Sequence, residues 1–337
     1  MTAGRADPSV YVYDPVDEPV DWLLDRGVRV TLGAPVFSTG RSRPKIPEDE
    51  LVAAAQGHSA LLGASGTFIT RQVMERLPDL RYISKLGIGH EIIDLEAATA
   101  RGIMVTNTPA DAEVEPVAEH AIALMLALAK QLHHYSAGYI AAGGWRSAEH
   151  MAATLRGSTV GIVGLGHIGQ AVAARLRPWG ARLIGTDIDG VPMPDGVQRA
   201  ELGTLLSSCD IVTLHVPGRA RGQGPLLDRD HLELLRPGAL LVNTARGNLV
   251  DQDALARLLR EGRIGGAAVD VYSPEPPLPG DPLLTAPNVI ATPHTAAWNP
   301  RLRKEMATMA FRNLWTMLSG EVPQNLVNPA VLDRTAS

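Results

Sequence analysis

The chain has 337 residues, 45% of them hydrophobic, which is enough for two domains with separate cores. A formal net charge of −5 excludes the broad basic face of a nucleic-acid binder, and the one basic run, Arg41-Ser42-Arg43-Pro44-Lys45, reads as a solvated loop. Cys209 is the one cysteine, which excludes a disulfide framework and a cysteine-rich metal site and fits a reducing compartment. The N-terminus has no apolar signal segment. The apolar run Val117–Ala129 is too short to span a bilayer and holds Glu119 and His120. A cytoplasmic protein without membrane contact is expected.

The first hundred residues alternate strand and helix. Strands are expected at Val10–Tyr13, Val28–Leu32, Ser59–Leu62, Leu80–Lys85 and Ile103–Thr106. Helices are expected at Trp22–Arg26, at Thr70–Leu77 with Thr70 as N-cap, and at Leu95–Arg101, stopped by Gly102. Such alternation predicts a parallel sheet covered by helices on both faces. A long Ala- and Leu-rich helix, Pro116–Ile140, follows. Pro116 suits its first turn, and Glu113, Glu115 and Glu119 suit its positive end. It reads as a core helix joining two domains and is compatible with a dimer interface.

Thr159–Val163 then reads as a buried strand running into a glycine turn and a helix. Gly164, Gly166 and Gly169 keep the GxGxxG spacing. The first permits the tight turn, the second lets a pyrophosphate approach the backbone, and the third lets helix and strand pack closely. The helix start, at His167 and Ile168, turns free N–H groups toward phosphate. A helix over Gln170–Trp179 leads to the strand Arg182–Thr186 and then Asp187, eighteen residues past Gly169. A carboxylate there accepts hydrogen bonds from both ribose hydroxyls and repels a 2′-phosphate, so the unit predicts NAD over NADP. Asp189 is a weaker rival for that role.

Further strands are expected at Ile211–His215, Ala239–Asn243, Ala267–Val271 and Val289–Ala291, with helices at Asp228–Leu235, Asp251–Arg260 and Pro300–Leu318. The fold class is therefore α/β, with two doubly wound parallel-sheet, Rossmann-like domains. The last helix is expected to cross back to the first domain and make it discontinuous. The boundaries are 1–106 with 296–337 for the discontinuous first domain and 107–295 for the NAD-binding domain. Ligands of such sheets bind at the carboxyl ends of the strands. Arg246, Glu275 and His294 each follow a strand of the second domain. An Arg after a strand is commonly a surface residue, a Glu in a Pro-rich loop is commonly solvated, and a His after Pro commonly just packs. Jointly they make chemical sense: a planar guanidinium for a carboxylate, an imidazole for proton transfer, and a carboxylate to fix its tautomer. The other histidines show no HExxH spacing, and His133 and His134 are expected on different faces of a helix, so no metal is expected.

The segments KLGIG (85–89), VAEHAIALMLAL (117–128), VGIVGLGHIG (160–169), HVP (215–217), RPGALLVNTARGNLVD (236–251), VDVYSPEP and TPHTAAW (292–298), in this order, make the chain resemble the D-isomer-specific 2-hydroxyacid dehydrogenases. The resemblance implies a homodimer through the long helix. It also implies that Arg246 holds the substrate carboxylate and polarises its carbonyl, that His294 is the acid/base, and that Glu275 is its partner. The backbone of Leu86, Gly87 and Ile88 is implied to meet the carboxylate. The implied dinucleotide site comprises Gly164, Gly166, His167, Ile168, Gly169, Asp187, Val216, Pro217, Thr244, Ala245, Arg246 and Asp270.

The implied reaction is NAD-dependent hydride transfer at C2 of a small D-2-hydroxy acid or 2-keto acid of the glyoxylate, hydroxypyruvate or phosphoglycerate kind. His90-Glu91 departs from the Asp that many relatives carry after GxG, and the loop 108–115 is about one residue longer than the commonest form. No long extension follows the last helix, so the regulatory domain of some phosphoglycerate relatives is expected to be absent. Glu275 argues against a formate dehydrogenase. Two alternatives stay open: the same fold oxidising a phosphonate- or phosphite-type anion, and an NAD-sensing scaffold or corepressor without turnover.

Overall fold

A computed structural model of the protein describes residues 8–14, 16, 20–33, 46–64, 67–109, 113–220 and 222–335. The Arg41–Lys45 run and part of the 108–115 loop lie outside them. The chain forms two compact units, residues 1–112 with 299–337, and residues 113–298.

The first unit contains β1 (Ser9–Val12), α1 (Asp21–Leu24), β2 (Arg29–Leu32), α2 (Glu48–Ala55), β3 (Ala60–Gly63), α3 (Arg71–Glu75), β4 (Tyr82–Lys85), α4 (Leu95–Ala100) and β5 (Met104–Thr106). Its strands pair in parallel in the order β2-β1-β3-β4-β5. Alternate residues serve opposite faces, as the pleat requires. Tyr11, Leu61 and Ile83 pack with Leu51, Val73 and Ala97 of α2, α3 and α4. Val10, Val12 and Leu62 pack on the other side with Leu23 of α1 and with Ala310, Phe311, Leu314 and Met317 of the last long helix. Thr70 caps α3 as expected, its hydroxyl accepting from Val73 N–H at 3.3 Å.

The second unit contains α5 (Val114–Ala129), α6 (Ala137–Ala141), β6 (Thr159–Val163), α7 (His167–Leu176), β7 (Arg182–Thr186), β8 (Val197–Arg199), α8 (Leu202–Ser208), β9 (Ile211–Leu214), α9 (Arg229–Glu233), β10 (Leu240–Asn243), α10 (Gln252–Arg260), β11 (Gly266–Val269) and β12 (Val289–Ala291). The last long helix, α11 (Pro300–Leu318), returns to the first unit. The seven strands are parallel, in the order β12-β11-β10-β9-β6-β7-β8. Strand order reverses between β6 and β9, which puts the switch point of the sheet beside the glycine turn. Residues of β6, β9 and β11 are all buried, the continuous apolar pattern of strands covered on both faces. Helix α5 packs on α7 and against β10 and β11.

Three expectations change. The helix expected to reach Ile140 ends at Ala129. Gln131 turns left-handed, with φ 56°, and the carbonyl of Ala129 accepts Ala153 N–H at 2.7 Å where a further helical turn would have bonded. His133 and His134 therefore do not lie on opposite helix faces. They share a 3₁₀ turn with ring centroids 4.0 Å apart, and His134 stacks on His150 at 3.9 Å. Burial, and the like charge of neighbouring imidazoles, hold both below the ordinary histidine range. Finally, α2, β8 and α8 carry too weak an apolar pattern to be read: β8, for example, buries only Val197 of its three residues. Among the described residues, no helix is long and apolar enough to cross a membrane.

Candidate active site

The glycine turn is backbone packed against backbone. Gly164 has φ +93°, and a Cβ there would lie 2.4 Å from the carbonyl oxygen of His215. A Cβ on Gly169 would lie 2.0 Å from the carbonyl oxygen of Gly164. Both positions demand glycine. At Gly166 a Cβ would meet nothing within 4 Å, so that position is open for an incoming group. Gly166 is also the N-cap of α7, with no capping side chain, so the first N–H groups of the helix face outward unsatisfied. Asp187 follows β7, its Oδ2 accepting Leu165 N–H at 2.5 Å and its Oδ1 accepting Ile188 N–H at 2.7 Å. It ties the glycine turn to the second strand, and each oxygen retains acceptor capacity. Val216 and Pro217 follow β9. His215 just before them is kept neutral, its pKa pushed down to about 4 by burial, with Nε2 3.0 Å from Thr213 Oγ1.

Beyond β10, Asn243 fastens the next loop. Its Oδ1 accepts Ala245 N–H at 3.0 Å and its Nδ2 donates to the carbonyl of Arg246 at 2.9 Å. Arg246 Nη1 donates to the carbonyl of Ala245 at 2.7 Å. A Cβ on Gly247 would lie 2.0 Å from the carbonyl carbon of Tyr272, so this loop and the one after β11 touch through backbone. Thr244 Oγ1 is buried without a hydrogen-bond partner.

After β11, Tyr272 N–H donates to Glu275 Oε1 at 2.9 Å, and the Tyr272 hydroxyl donates to the carbonyl of Thr292 at 2.9 Å. Glu275 Oε2 accepts from His294 Nδ1 at 2.8 Å. That bond puts a proton on Nδ1 and leaves Nε2 as the nitrogen that exchanges one. The hydrogen bond it donates to Glu275 raises the His294 pKa against the opposing effect of burial. The charges of Glu275 and Asp270 add to the rise, and Arg246 works against it. Burial pushes Glu275 up, but the His294 bond and charge, the Tyr272 N–H and the Arg246 charge outweigh it, and its net direction is down. Arg246, Glu275 and His294 thus sit within electrostatic reach of one another at the carboxyl ends of the strands.

Asp270, expected among the dinucleotide contacts, is buried. Its Oδ1 accepts Thr292 Oγ1–H at 2.6 Å and Thr295 N–H at 2.8 Å, and its Oδ2 accepts Ala296 N–H at 2.9 Å. The structure gives it the work of shaping the loop that carries His294. His120 of α5 joins this cluster, with Nε2 3.2 Å from Thr292 Oγ1. Neither His120 nor Thr292 was singled out for chemistry from sequence: the two lie far apart in the chain, and each reads as an ordinary helix or loop residue. Leu86, Gly87 and Ile88 belong to the other unit. Leu86 N–H donates to the carbonyl of Gly63 at 2.9 Å and Gly87 N–H to Thr108 Oγ1 at 2.7 Å, so two of the three expected N–H donors are already engaged. Among the described residues, no group of three or more His, Cys, Asp or Glu is arranged to hold a metal ion.

Residues 122–296 match the family pattern described as D-isomer specific 2-hydroxyacid dehydrogenase, NAD binding domain. The chain belongs to that family. It is 36% identical to a glyoxylate reductase of Thermofilum pendens, over 97% of this chain and 96% of that protein. It is 35% identical to a D-3-phosphoglycerate dehydrogenase of Methanocaldococcus jannaschii, over 95% of this chain but only 59% of that relative's length. A crystal structure of a Thermus thermophilus protein superposes with a TM-score of 0.83 at 36% identity, covering 95% of this chain and 99% of that one.

The cofactor of this 2-hydroxyacid dehydrogenase domain is NAD, and the residues present fit a dinucleotide. A helix N-terminus without a cap suits the pyrophosphate. The open face of Gly166 admits its approach, and the orphaned Thr244 hydroxyl lacks a partner that a bound molecule supplies.

The electrostatics carry a direct test. Glu275 favours the charged form of His294, so the Glu275→Gln protein should show the His294 imidazole titrating at lower pH than in the wild type, read by NMR of the ring protons. An unchanged midpoint would contradict the assigned hydrogen bond.

Proposed function

We propose that the protein is an NAD-dependent oxidoreductase that interconverts a small 2-keto acid and the D-2-hydroxy acid, of the glyoxylate, hydroxypyruvate or phosphoglycerate kind. The observation that carries the reading is the His294–Glu275 hydrogen bond of 2.8 Å beside Arg246, on the same strand ends as the glycine turn. When bound, the reduced nicotinamide supplies the hydride that arrives at C2. Arg246 binds the substrate carboxylate through its planar fork and stabilises the negative charge that develops on the C2 oxygen. His294, protonated, donates its Nε2 proton to that oxygen, and in the reverse direction the neutral ring accepts it. Glu275 holds the ring by Nδ1 and keeps it charged across a wider pH range. Reduction needs protonated His294, so its rate falls as pH rises through the raised pKa. Oxidation needs the neutral ring and gains over the same interval.

His294→Ala should lower kcat by roughly 10²–10⁴-fold while the NADH dissociation constant stays within a few fold of wild type. Arg246→Ala should raise the KM for the keto acid as well as slow turnover. Steady-state kinetics on glyoxylate, pyruvate and hydroxypyruvate, with NADH binding followed by fluorescence, check both. Full turnover without the imidazole, or an unchanged KM without the guanidinium, removes that residue from the mechanism.

Asp187 is the reading's discriminator between cofactors. Asp187→Ala should narrow the preference for NADH over NADPH, measured as the ratio of kcat/KM values. A variant that keeps the full preference would place ribose recognition on another residue.

The reading includes a homodimer. Its support is the exposed apolar series Leu132, Ile140, Trp145 and Met151 in the segment after α5, an unusual concentration for a surface facing water. Sedimentation at micromolar concentration should give the mass of two chains, and a monomer there would refute this part.

A further inference from the structure

The turn that carries His294 is held from one side by a single buried carboxylate. Asp270 accepts Thr292 Oγ1–H, Thr295 N–H and Ala296 N–H through its side chain, and its own carbonyl accepts His294 N–H at 2.8 Å. His294 itself has φ +54°, a conformation that a non-glycine residue keeps only when its surroundings over-determine it. His120 enters this cluster from α5. Its Nε2 lies 3.2 Å from Thr292 Oγ1 and 3.7 Å from Asp270 Oδ1.

Donor accounting fixes the direction of the bonds. A threonine hydroxyl has one proton and two acceptor sites. The shorter contact, 2.6 Å, goes to an oxygen of Asp270 that already accepts a backbone N–H, so Thr292 donates there. Thr292 Oγ1 then has only acceptor capacity left for His120, and His120 Nε2 must carry a hydrogen. The chain of bonds runs from His120 Nε2–H to Thr292 Oγ1, and from Thr292 Oγ1–H to Asp270 Oδ1. A neutral Nε2–H tautomer and an imidazolium both satisfy it. A residue without a donor at that place leaves the second acceptor site of Thr292 Oγ1 unfilled and the hydroxyl held by Asp270 alone.

We propose that His120 is a positioning residue: by donating to Thr292 it locks the Thr292–Asp270 bond and so holds the 292–296 turn with His294 aimed at Glu275. His120 touches neither the His294 ring nor Glu275 in any hydrogen bond of the structure, and it acts through the turn. The inference rests on the reading of His294 as the acid/base, in the sense that its effect on rate needs that role. Its effect on the turn does not.

The experiment therefore has two arms, on the full-length protein, with His120→Leu, which removes the donor at similar bulk, and His120→Gln, which retains an N–H donor. In hydrogen exchange without substrate, the amides of His294, Thr295 and Ala296 should exchange at least about tenfold faster in His120→Leu, with the amides of α10 unchanged. The His120→Gln protein should recover most of that protection. Equal protection in wild type and His120→Leu would overturn the proposal whatever the activity. In steady-state assays with NADH and glyoxylate or hydroxypyruvate, His120→Leu should lose roughly 10–100-fold in kcat, the range typical of residues that orient a working side chain. The KM for the keto acid and the affinity for NADH should change little, and His120→Gln should restore most of kcat. A kcat within threefold of wild type in His120→Leu would overturn the positioning role, as would equal losses in the two variants. Wild-type turnover retained by His294→Ala would instead sink the reading of the reaction. The exchange arm would still decide whether His120 holds the turn.

Discussion

His294 is held in the left-handed region of backbone space, and Asp270 is what holds it. A non-glycine residue at positive φ costs on the order of 1–3 kcal/mol, so the turn persists only because its neighbours make every alternative worse. The carboxylate and carbonyl of Asp270 take hydrogen bonds from Thr292, His294, Thr295 and Ala296, and leaving those groups unpaired in a buried site would cost more than the strain. The consequences run outward. The left-handed turn sets the direction of the imidazole, and that direction brings Nδ1 onto Glu275 Oε2. The bond sets the tautomer and leaves Nε2 free to gain or lose a proton. Tyr272, bonded through its N–H to Glu275 and through its hydroxyl to the carbonyl of Thr292, braces both ends of the pair.

The same economy governs the glycines. At Gly164, Gly169 and Gly247 a single methyl would collide with backbone atoms at 2.0–2.4 Å, and backbone in a paired sheet cannot yield as a side-chain tip can. These contacts pack the loop after β6 against the end of β9 and against its own helix, and the loop after β10 against the loop after β11. The spacing of a motif such as GxGxxG is thus a record of interatomic distance: one glycine for the turn, one for access, one for packing. Gly166 is the exception that shows the difference, since it has open space above it, which makes it a place for a ligand and not for a neighbouring strand.

How much of this was legible in the sequence follows from the range of the interactions. The strands are short apolar runs between glycine and proline punctuation, so β4, β9, β10 and β12 were found within two residues of their ends. Caps are equally local: Thr70 and Asp251 sit at helix starts, and their side chains accept from Val73 and Ala254 N–H. The family likeness of the NTARG, VDVYSPEP and TPH segments marked Arg246, Glu275 and His294. The end of α5 was not legible, because an apolar pattern does not announce that Gln131 will turn left-handed and give the carbonyl of Ala129 to Ala153. Nor was the His120–Thr292–Asp270 chain, which joins α5 to a loop across a long sequence separation. No periodicity encodes a contact of that kind.

Asp187 shows why function and fold resist separation at such a site. Its carboxylate closes the glycine turn through Leu165 N–H and its own strand end through Ile188 N–H, one oxygen to each donor. A neutral amide, with one acceptor oxygen, could serve only one of these two donors. In the proposed reading the same charge disfavours a second anion, such as a 2′-phosphate. The 86–88 loop of the other unit presents the opposite case. There the N–H groups of Leu86 and Gly87 are spent on the carbonyl of Gly63 and the hydroxyl of Thr108. In the proposed reading, selection among 2-keto acids falls to side chains outside the shared motifs, because those motifs carry groups that any such acid would meet.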